Sequence, residues 1–152
     1  MKAYRIAKTK YLSTTLSGYG AQEYGGRWNS VGISVVYLSS SIALATLEVL
    51  AHTDRGNIPE GSYSVLSVEF PEDAFESLDL KVLRLGWNYS PSPEYLATIG
   101  DEWVSRGQKP LLRVPSAIIP REFNYVFNPN HKLANLVIEA ESELFMFDPR
   151  LN

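Results

Sequence analysis

The chain has 152 residues, of which 45% are hydrophobic and 20% are charged, and its formal net charge is −3. We expect one domain, since a chain of about 150 residues buries about 70% of its unfolded surface. The acidic balance argues against direct binding to a nucleic acid, which normally requires a basic patch. The chain contains no cysteine, which excludes disulfides, thiolate nucleophiles and cysteine zinc sites.

The first third of the chain predicts two strands, a glycine-rich loop and a helix. A short strand is expected at 3–7, and a mobile or tightly turned loop around the glycines of 18–26. Residues 33–38, ISVVYL, are apolar at both parities, as in a strand covered on both faces. The serines at 39–41 can cap a helix with the body IALATLEVLAH.

Residues 31–51 have the length and low charge of a membrane span, since they carry one charged side chain in a stretch of 21 residues. About 20 apolar residues cross a bilayer. Glycine, threonine and a serine triplet interrupt this stretch, which favours a buried strand followed by a buried helix. The N-terminal residues lack the apolar core of a signal peptide. We therefore expect a cytoplasmic protein with no membrane segment.

The remainder of the chain predicts three more strands. They are expected at 62–70, at 111–114 and at 143–148, because these stretches are apolar or alternate in polarity and are bounded by proline or polar residues. Residues 124–130, NYVFNPN, look turn-rich.

One more helix is expected over 92–107, with Ser92 as its N-cap, Pro93 at the first helical position and Gly107 after its end. Strands outnumber helices and do not alternate regularly with them. The sequence thus predicts an α+β fold, a single mixed β-sandwich-like domain over 1–152 with flanking helices.

Glu48 is the only formally charged side chain between Trp28 and Ala51. An unpaired desolvated carboxylate costs several kcal/mol, so Glu48 is either the partner of a distant arginine or a functional group. Two glycines precede Arg27, so the backbone there can approach a ligand, and a guanidinium suits phosphate or carboxylate. Tyr37 can stack on an aromatic ring or pack in the core. Together these three side chains suit a phosphate-bearing nucleotide whose ribose meets the carboxylate.

Other sites find little support in the sequence. Residues 18–20 begin like a dinucleotide-binding fingerprint, but Glu23 occupies the place of its third glycine. The chain contains no Walker loop. His52 and His131 lack the spacing of metal ligands, so no metal site is expected.

Several sequence blocks, in the same order and spacing, resemble the RES-domain family of bacterial toxins, which pair with Xre-type helix-turn-helix antitoxins. The blocks span nearly the whole chain, with less of the signature between 53 and 95; they are YRI at 4–6, GGRWNSVG at 25–32, VVYLSSSIALATLEVLAH at 35–52, GDEW at 100–103, PSAIIPREFNYVFNPNH at 115–131 and FDPRL at 147–151.

This resemblance implies both a set of site residues and an activity. The arginine, glutamate and serine for which the family is named fall on Arg27, Glu48 and Ser116, with Tyr37 as their aromatic companion. The implied fold is similar to ADP-ribosyltransferases of the diphtheria-toxin kind. The implied activity consumes NAD, as substrate rather than cofactor, by cutting the nicotinamide–ribose bond. The implied complex is cytoplasmic, and in it the antitoxin blocks the site.

The chemistry of NAD agrees with a single carboxylate. Most glycosidases need a second carboxyl group as an acid, whereas nicotinamide in NAD is a pyridinium and leaves as a neutral base. One carboxylate then suffices if it stabilises the developing oxocarbenium charge. We therefore interpret Glu48 as the electrostatic catalyst and Arg27 as the clamp on the pyrophosphate.

The other candidates receive less definite roles. Tyr37 is expected to stack on nicotinamide or shape its pocket, and Ser116 to hydrogen-bond the substrate or orient the glutamate, although a turn serine that bonds local backbone is an alternative. Arg5, His52 and Asn124 lie in matching blocks but have no distinct role.

Three functions remain open at this point. The first is a toxin that depletes NAD as a glycohydrolase or phosphorylase. The second is a mono-ADP-ribosyltransferase that modifies a host protein. The third is a non-catalytic nucleotide- or partner-binding module, which would keep Arg27 and tolerate loss of Glu48. The choice of acceptor depends on loops that the sequence does not place.

Overall fold

A mixed seven-stranded sheet organises the fold in the computed structural model, which describes residues 1–53 and 58–151. The strands of this described part are β1 Lys2–Lys8, β2 Val36–Ser39, β3 Tyr63–Glu69, β4 Phe75–Ser77, β5 Leu111–Pro115, β6 Phe123–Phe127 and β7 Ile138–Phe145. Their order in the sheet is β4-β5-β6-β2-β1-β3-β7. The β4–β5 pair is parallel and the remaining pairs are antiparallel. The α+β class predicted from the sequence is confirmed.

The sheet consists of two halves joined at the β1–β2 pair. Strand β1 pairs with β3 along its whole length, and β2 with β6 along its whole length. Between β1 and β2, only Tyr4 and Ser39 are in register. The side chain of Arg5 also links these strands, because it donates to the Tyr37 carbonyl oxygen at 3.0 Å.

Three α-helices flank the sheet in the described residues, namely α1 Tyr19–Tyr24, α2 Ile42–His52 and α3 Glu94–Arg106. Helix α2 begins where the serines predict, since Ser41 is its N-cap and accepts a hydrogen bond from the Leu44 N–H at 3.1 Å. Its buried face includes Leu44 and Ala45, and Ala45 packs in one cluster with Ile6 of β1. No described helix has the length and apolar character needed to cross a membrane.

The structure corrects the prediction of turns over 124–130. Residues 123–127 form β6, which lies between β5 and β2. Tyr125, Val126 and Phe127 are buried, and this burial outweighs the local turn preference of the asparagines. The turn begins only at Asn128.

Strand β7 extends from Ile138 to Phe145, so it begins earlier than the predicted 143–148. It is an edge strand that pairs only with β3 in the described sheet, and its side chains are almost all exposed on both faces. Glutamates alternate with apolar or small residues over 138–144, so the strand pattern is present in the sequence and the predicted strand simply began too late. The strand predicted at 33–38 likewise differs, since β2 covers Val36–Ser39.

Two other local predictions need correction. Pro93 rather than Ser92 is the N-cap of α3, and the Ser92 Oγ atom is buried with no hydrogen-bond partner among the described residues. The loop predicted around 18–26 contains α1, which lies between Gly18 and Gly25, both at positive φ. Gly107 ends α3 in the left-handed region, as predicted.

Helix α3 makes a close approach to the turn that carries Arg27. A Cβ atom added at Gly100 would lie 1.8 Å from the Trp28 carbonyl oxygen. This distance is far below van der Waals contact, so the approach requires the absence of a side chain. Leu96 and Trp103 of the same helix pack in a cluster with Trp28.

We expect Gly100→Ala to destabilise the protein by about 1–3 kcal/mol or more, because the added methyl group overpacks against backbone that cannot retreat. Urea or thermal unfolding measures the loss. Gly20→Ala in α1 is the matched control, since a Cβ there meets nothing within 4 Å, and alanine favours a helix over glycine by about 0.5–1 kcal/mol. Equal stability of the Gly100 variant and wild type would contradict the close packing.

Candidate active site

Glu48 of α2 is bound by two neutral donors from the adjacent strands β5 and β6. The Ser116 hydroxyl, directly after β5, donates to Glu48 Oε1 at 3.0 Å. The Asn124 side-chain amide on β6 donates to the same oxygen at 2.6 Å. Hydrogen bonds to a charged acceptor are stronger than those between neutral groups. The structure therefore brings together two residues of the predicted site, Glu48 and Ser116, and adds Asn124.

The orientation of the Ser116 hydroxyl is set by its own turn. Ser116 is fully buried, and its Oγ accepts from the backbone N–H groups of Ile118 at 3.1 Å and Ile119 at 3.2 Å. These bonds occupy the two lone pairs of the hydroxyl, so its single proton is left for Glu48. Ser116 thus combines the two roles considered from the sequence, binding local backbone and orienting the glutamate.

The charge of Glu48 has no cationic partner at ion-pair distance in the part of the chain that the structure describes. The ion pairs found there involve Glu69, Glu76 and Asp148. The Glu48 side chain is half-buried, and its Oε2 atom has no hydrogen-bond partner within residues 1–53 and 58–151. A carboxylate in this state is oriented but not neutralised, so its field is available to a ligand.

Arg27 is partly engaged with the segment that precedes α3. Two of the five guanidinium N–H groups donate to the carbonyl oxygens of Trp87, at 2.6 Å, and Tyr89, at 3.0 Å. Three N–H groups remain without such a bond among the described residues. Partial burial lowers the pKa of Arg27, and the charge of Glu48 opposes this shift. Arg27 and Glu48 therefore interact electrostatically without forming an ion pair.

Tyr37 fixes the turn on which Arg27 lies. Its hydroxyl donates to Asn29 Oδ1 at 2.7 Å and accepts from the Trp28 N–H at 3.0 Å. Burial raises the pKa of Tyr37, so the phenol stays neutral. A Cβ added at Gly26 would lie 2.6 Å from this hydroxyl oxygen, which explains the glycine at that position. Stacking of Tyr37 on a ligand stays a prediction.

Two further residues, Asn29 and Asp101, hold the same turn and were not predicted from the sequence. The Asn29 amide donates to the carbonyl oxygens of Ala21 at 2.8 Å and Ile33 at 3.0 Å, and Asp101 Oδ1 accepts from the Ser30 N–H at 2.9 Å. The position of Asn29, two residues after an arginine in a glycine turn, is a signal that could have found it, since asparagine commonly bonds local backbone in turns. Asp101 carries no comparable local signal.

The remaining candidates lie apart from Glu48 Oε1. Burial lowers the pKa of Arg5, whose Nε donates to Thr15 Oγ1 at 2.8 Å. His52 is exposed, and its Nδ1 lies 2.7 Å from the backbone carbonyl oxygen of Glu48, one helical turn earlier. Neither side chain contacts the Glu48 carboxylate.

A cavity of about 540 Å³ lies elsewhere in the described structure and is lined by Thr14, Ser17, Tyr19, Gln22, Ser34 and Asn130. None of the residues around Glu48 lines it. The candidate site is defined by the side chains that converge on Glu48, because concavity alone identifies no reacting group. The described residues contain no group of three His, Asp or Glu side chains that could hold a metal ion.

The sequence matches relatives along nearly its whole length. It is 37% identical over 153 residues to "Toxin Res" of Yersinia enterocolitica, covering 99% of both chains. It is 36% identical over 144 residues to "Prs ADP-ribosylating toxin" of Sphingobium sp., covering 93% of this chain and 89% of that protein.

The fold is similar to a solved structure, the M. tuberculosis MbcT–MbcA toxin–antitoxin complex. The TM-score is 0.77 over 95% of this chain and 83% of the other, at 18% identity. At this identity the likeness concerns the fold alone. The model of one family, the RES domain, matches residues 2–148. With this match and the relatives above, the chain belongs to the RES-domain family.

Proposed function

We propose that this RES-domain toxin breaks the bond between nicotinamide and ribose in NAD, with Glu48 as the catalytic carboxylate. The observation that carries the proposal is the state of Glu48, which is fixed at Oε1 by Ser116 and Asn124 while no described cation pairs with it. An oriented anion of this kind stabilises positive charge that develops in a transition state.

The proposed reaction needs one carboxylate and no acid. As the bond between C1′ and the pyridinium nitrogen breaks, its electron pair goes to nitrogen and nicotinamide leaves neutral. The ribose becomes an oxocarbenium-like cation next to Glu48. Water then forms a bond to C1′ and loses a proton to solvent, which gives ADP-ribose. Phosphate in place of water would give the phosphorolysis product.

Arg27 is proposed to bind the pyrophosphate of NAD. Its three N–H groups without a described partner provide the donors, and a planar guanidinium matches phosphate oxygens. Tyr37 supports this role by fixing the turn through Trp28 and Asn29. The stacking of its ring on nicotinamide is a further part of the proposal.

Transfer of ADP-ribose to a protein is the second candidate. A relative 36% identical to this chain is named as an ADP-ribosylating toxin, which favours a protein acceptor. Both reactions share the bond-breaking step at Glu48 and differ only in the nucleophile. With labelled NAD, transfer leaves label on a macromolecule, whereas hydrolysis leaves free ADP-ribose only.

An antitoxin is the proposed protein partner. The fold neighbour from M. tuberculosis is solved in a toxin–antitoxin complex, which supports a similar pairing for this chain. The resemblance of the sequence blocks adds that the partner is an Xre-type helix-turn-helix protein that covers the site in the cytoplasm.

We expect antitoxin-free protein to release nicotinamide from NAD, and Glu48→Gln to lower the rate at least about 100-fold, as for loss of one electrostatic group in a transition state. Glutamine keeps a carbonyl acceptor for Ser116 and Asn124 but removes the charge. Chromatography of the incubation, with and without phosphate, measures the product.

Glu102→Gln is the matched control, since Glu102 is exposed on α3, and it should leave the rate unchanged. The proposal fails if wild-type protein releases no nicotinamide in either condition, or if the Glu48 variant is as fast as wild type.

A second expectation concerns Arg27→Ala, which should raise KM for NAD by about 10- to 100-fold, because a hydrogen bond to a charged group contributes about 1.5–3 kcal/mol. Steady-state kinetics measures the change. Arg121→Ala removes an exposed arginine and serves as the control. A KM equal to that of wild type would argue against the clamp.

A further inference from the structure

The two carboxylate oxygens of Glu48 differ in their hydrogen bonds. Oε1 accepts one from Asn124 and one from Ser116, whereas Oε2 accepts none from the described residues. We propose that Asn124 is a positioning residue, which together with Ser116 immobilises Oε1 and thereby makes Oε2 the oxygen that faces the substrate. The inference rests on the proposed function, because it assigns roles within the same site.

The backbone at Asn124 is held on both sides by the sheet. Strand β6 lies between β5 and β2, and Asn124 is in register with Val114 on one side and Ser39 on the other. A strand paired along both edges resists displacement, so the amide projects from a fixed point. A long or loop-borne donor would lose more conformational entropy on holding the carboxylate.

The direction of the amide follows from its partner. An ionised carboxylate only accepts hydrogen bonds, so the NH₂ group of Asn124 has to face Glu48. The 2.6 Å separation of Asn124 Nδ2 and Glu48 Oε1 is short for an N–H···O bond. Asn124 is therefore a donor to the catalytic group, and its own carbonyl points away from it.

Two donors on one oxygen leave that oxygen without capacity for a third. Each carboxylate oxygen accepts about two hydrogen bonds, and Ser116 and Asn124 supply both for Oε1. A ribose hydroxyl or the developing cation then meets Oε2, which has no partner in the described chain. Rotation of the carboxylate would break both bonds at once, so the pair also fixes its plane.

The other end of the Asn124 amide indicates that stability alone does not explain the residue. Its Oδ1 atom is buried and has no hydrogen-bond partner among the described residues. An unpaired buried acceptor opposes folding. An asparagine kept in such a place is better explained by what its NH₂ group does for Glu48 than by a contribution to the core.

The test compares Asn124→Ala and Asn124→Asp with wild type, using NAD as the substrate. We expect Asn124→Ala to lower kcat about 10-fold, as for loss of about 1.4 kcal/mol of transition-state stabilisation, with KM within about 2-fold. Asn124→Asp is nearly isosteric and should lower kcat further, since its carboxylate would repel that of Glu48 at this distance. Asn135→Asp changes an exposed asparagine outside the site and is the matched control. Thermal melting confirms that each variant is folded, and the alanine variant carries the test if the aspartate variant does not fold.

A double-variant cycle shows whether Asn124 acts through Glu48. In the Glu48→Gln background, Asn124→Ala should change the residual rate less than about 2-fold, because the group that it positions has lost its charge. The same 10-fold loss in both backgrounds would overturn the inference, as would an unchanged kcat of the single alanine variant.

A measurement without NAD separates this inference from the proposed function. In the ¹H–¹⁵N spectrum, we expect the Asn124 side-chain amide to show one strongly downfield proton that moves on Glu48→Gln. If this amide proton shifts on Glu48→Gln but wild-type protein releases no nicotinamide, the proposed function fails and the contact between Asn124 and Glu48 stands. If nicotinamide is released but the amide signal ignores Glu48, the positioning role fails alone.

Discussion

The hydrogen bonds from Ser116 and Asn124 to Glu48 are the interaction on which the site depends. A half-buried carboxylate has to be solvated by the protein, and either a cation or neutral donors can do so. A cation would cancel the charge, whereas the two neutral donors orient it and leave its field in place. The chain therefore presents a fixed anion at the junction of α2, β5 and β6.

The turn that carries Arg27, the second part of the candidate site, is held in place in a different way. Arg27 lies on a short turn, and such a turn has little stability of its own. Tyr37 binds it from the sheet, Asp101 from α3, and the bare backbone of Gly100 lets that helix approach the Trp28 carbonyl. The position of the guanidinium is thus set by core packing, so changes in the core can disturb it.

Local features of the sequence predicted the parts of the fold whose stability is local. The serine cap of α2 and the glycine end of α3 act within one helical turn, so they can be read from neighbouring residues. Strand β6 was misjudged because pairing decides it, since this central strand contains turn-forming asparagines. Strand β7 was placed too late, although the alternation over 138–144 could have been read from the sequence. Arg27, Tyr37, Glu48 and Ser116 were named in advance, whereas Asn29 and Asp101 were not.

The sequence by itself determined that one carboxylate stands alone in an apolar stretch, on a helix that its own serine begins. It could not determine what surrounds that carboxylate. Ser116 and Asn124 are 68 and 76 residues away along the chain, and they reach Glu48 only because β5 and β6 are adjacent and in a fixed register. A shift of one residue would turn Asn124 to the opposite face of the sheet. Strand register, which only the tertiary structure settles, is the physical reason that an isolated acid becomes an oriented one.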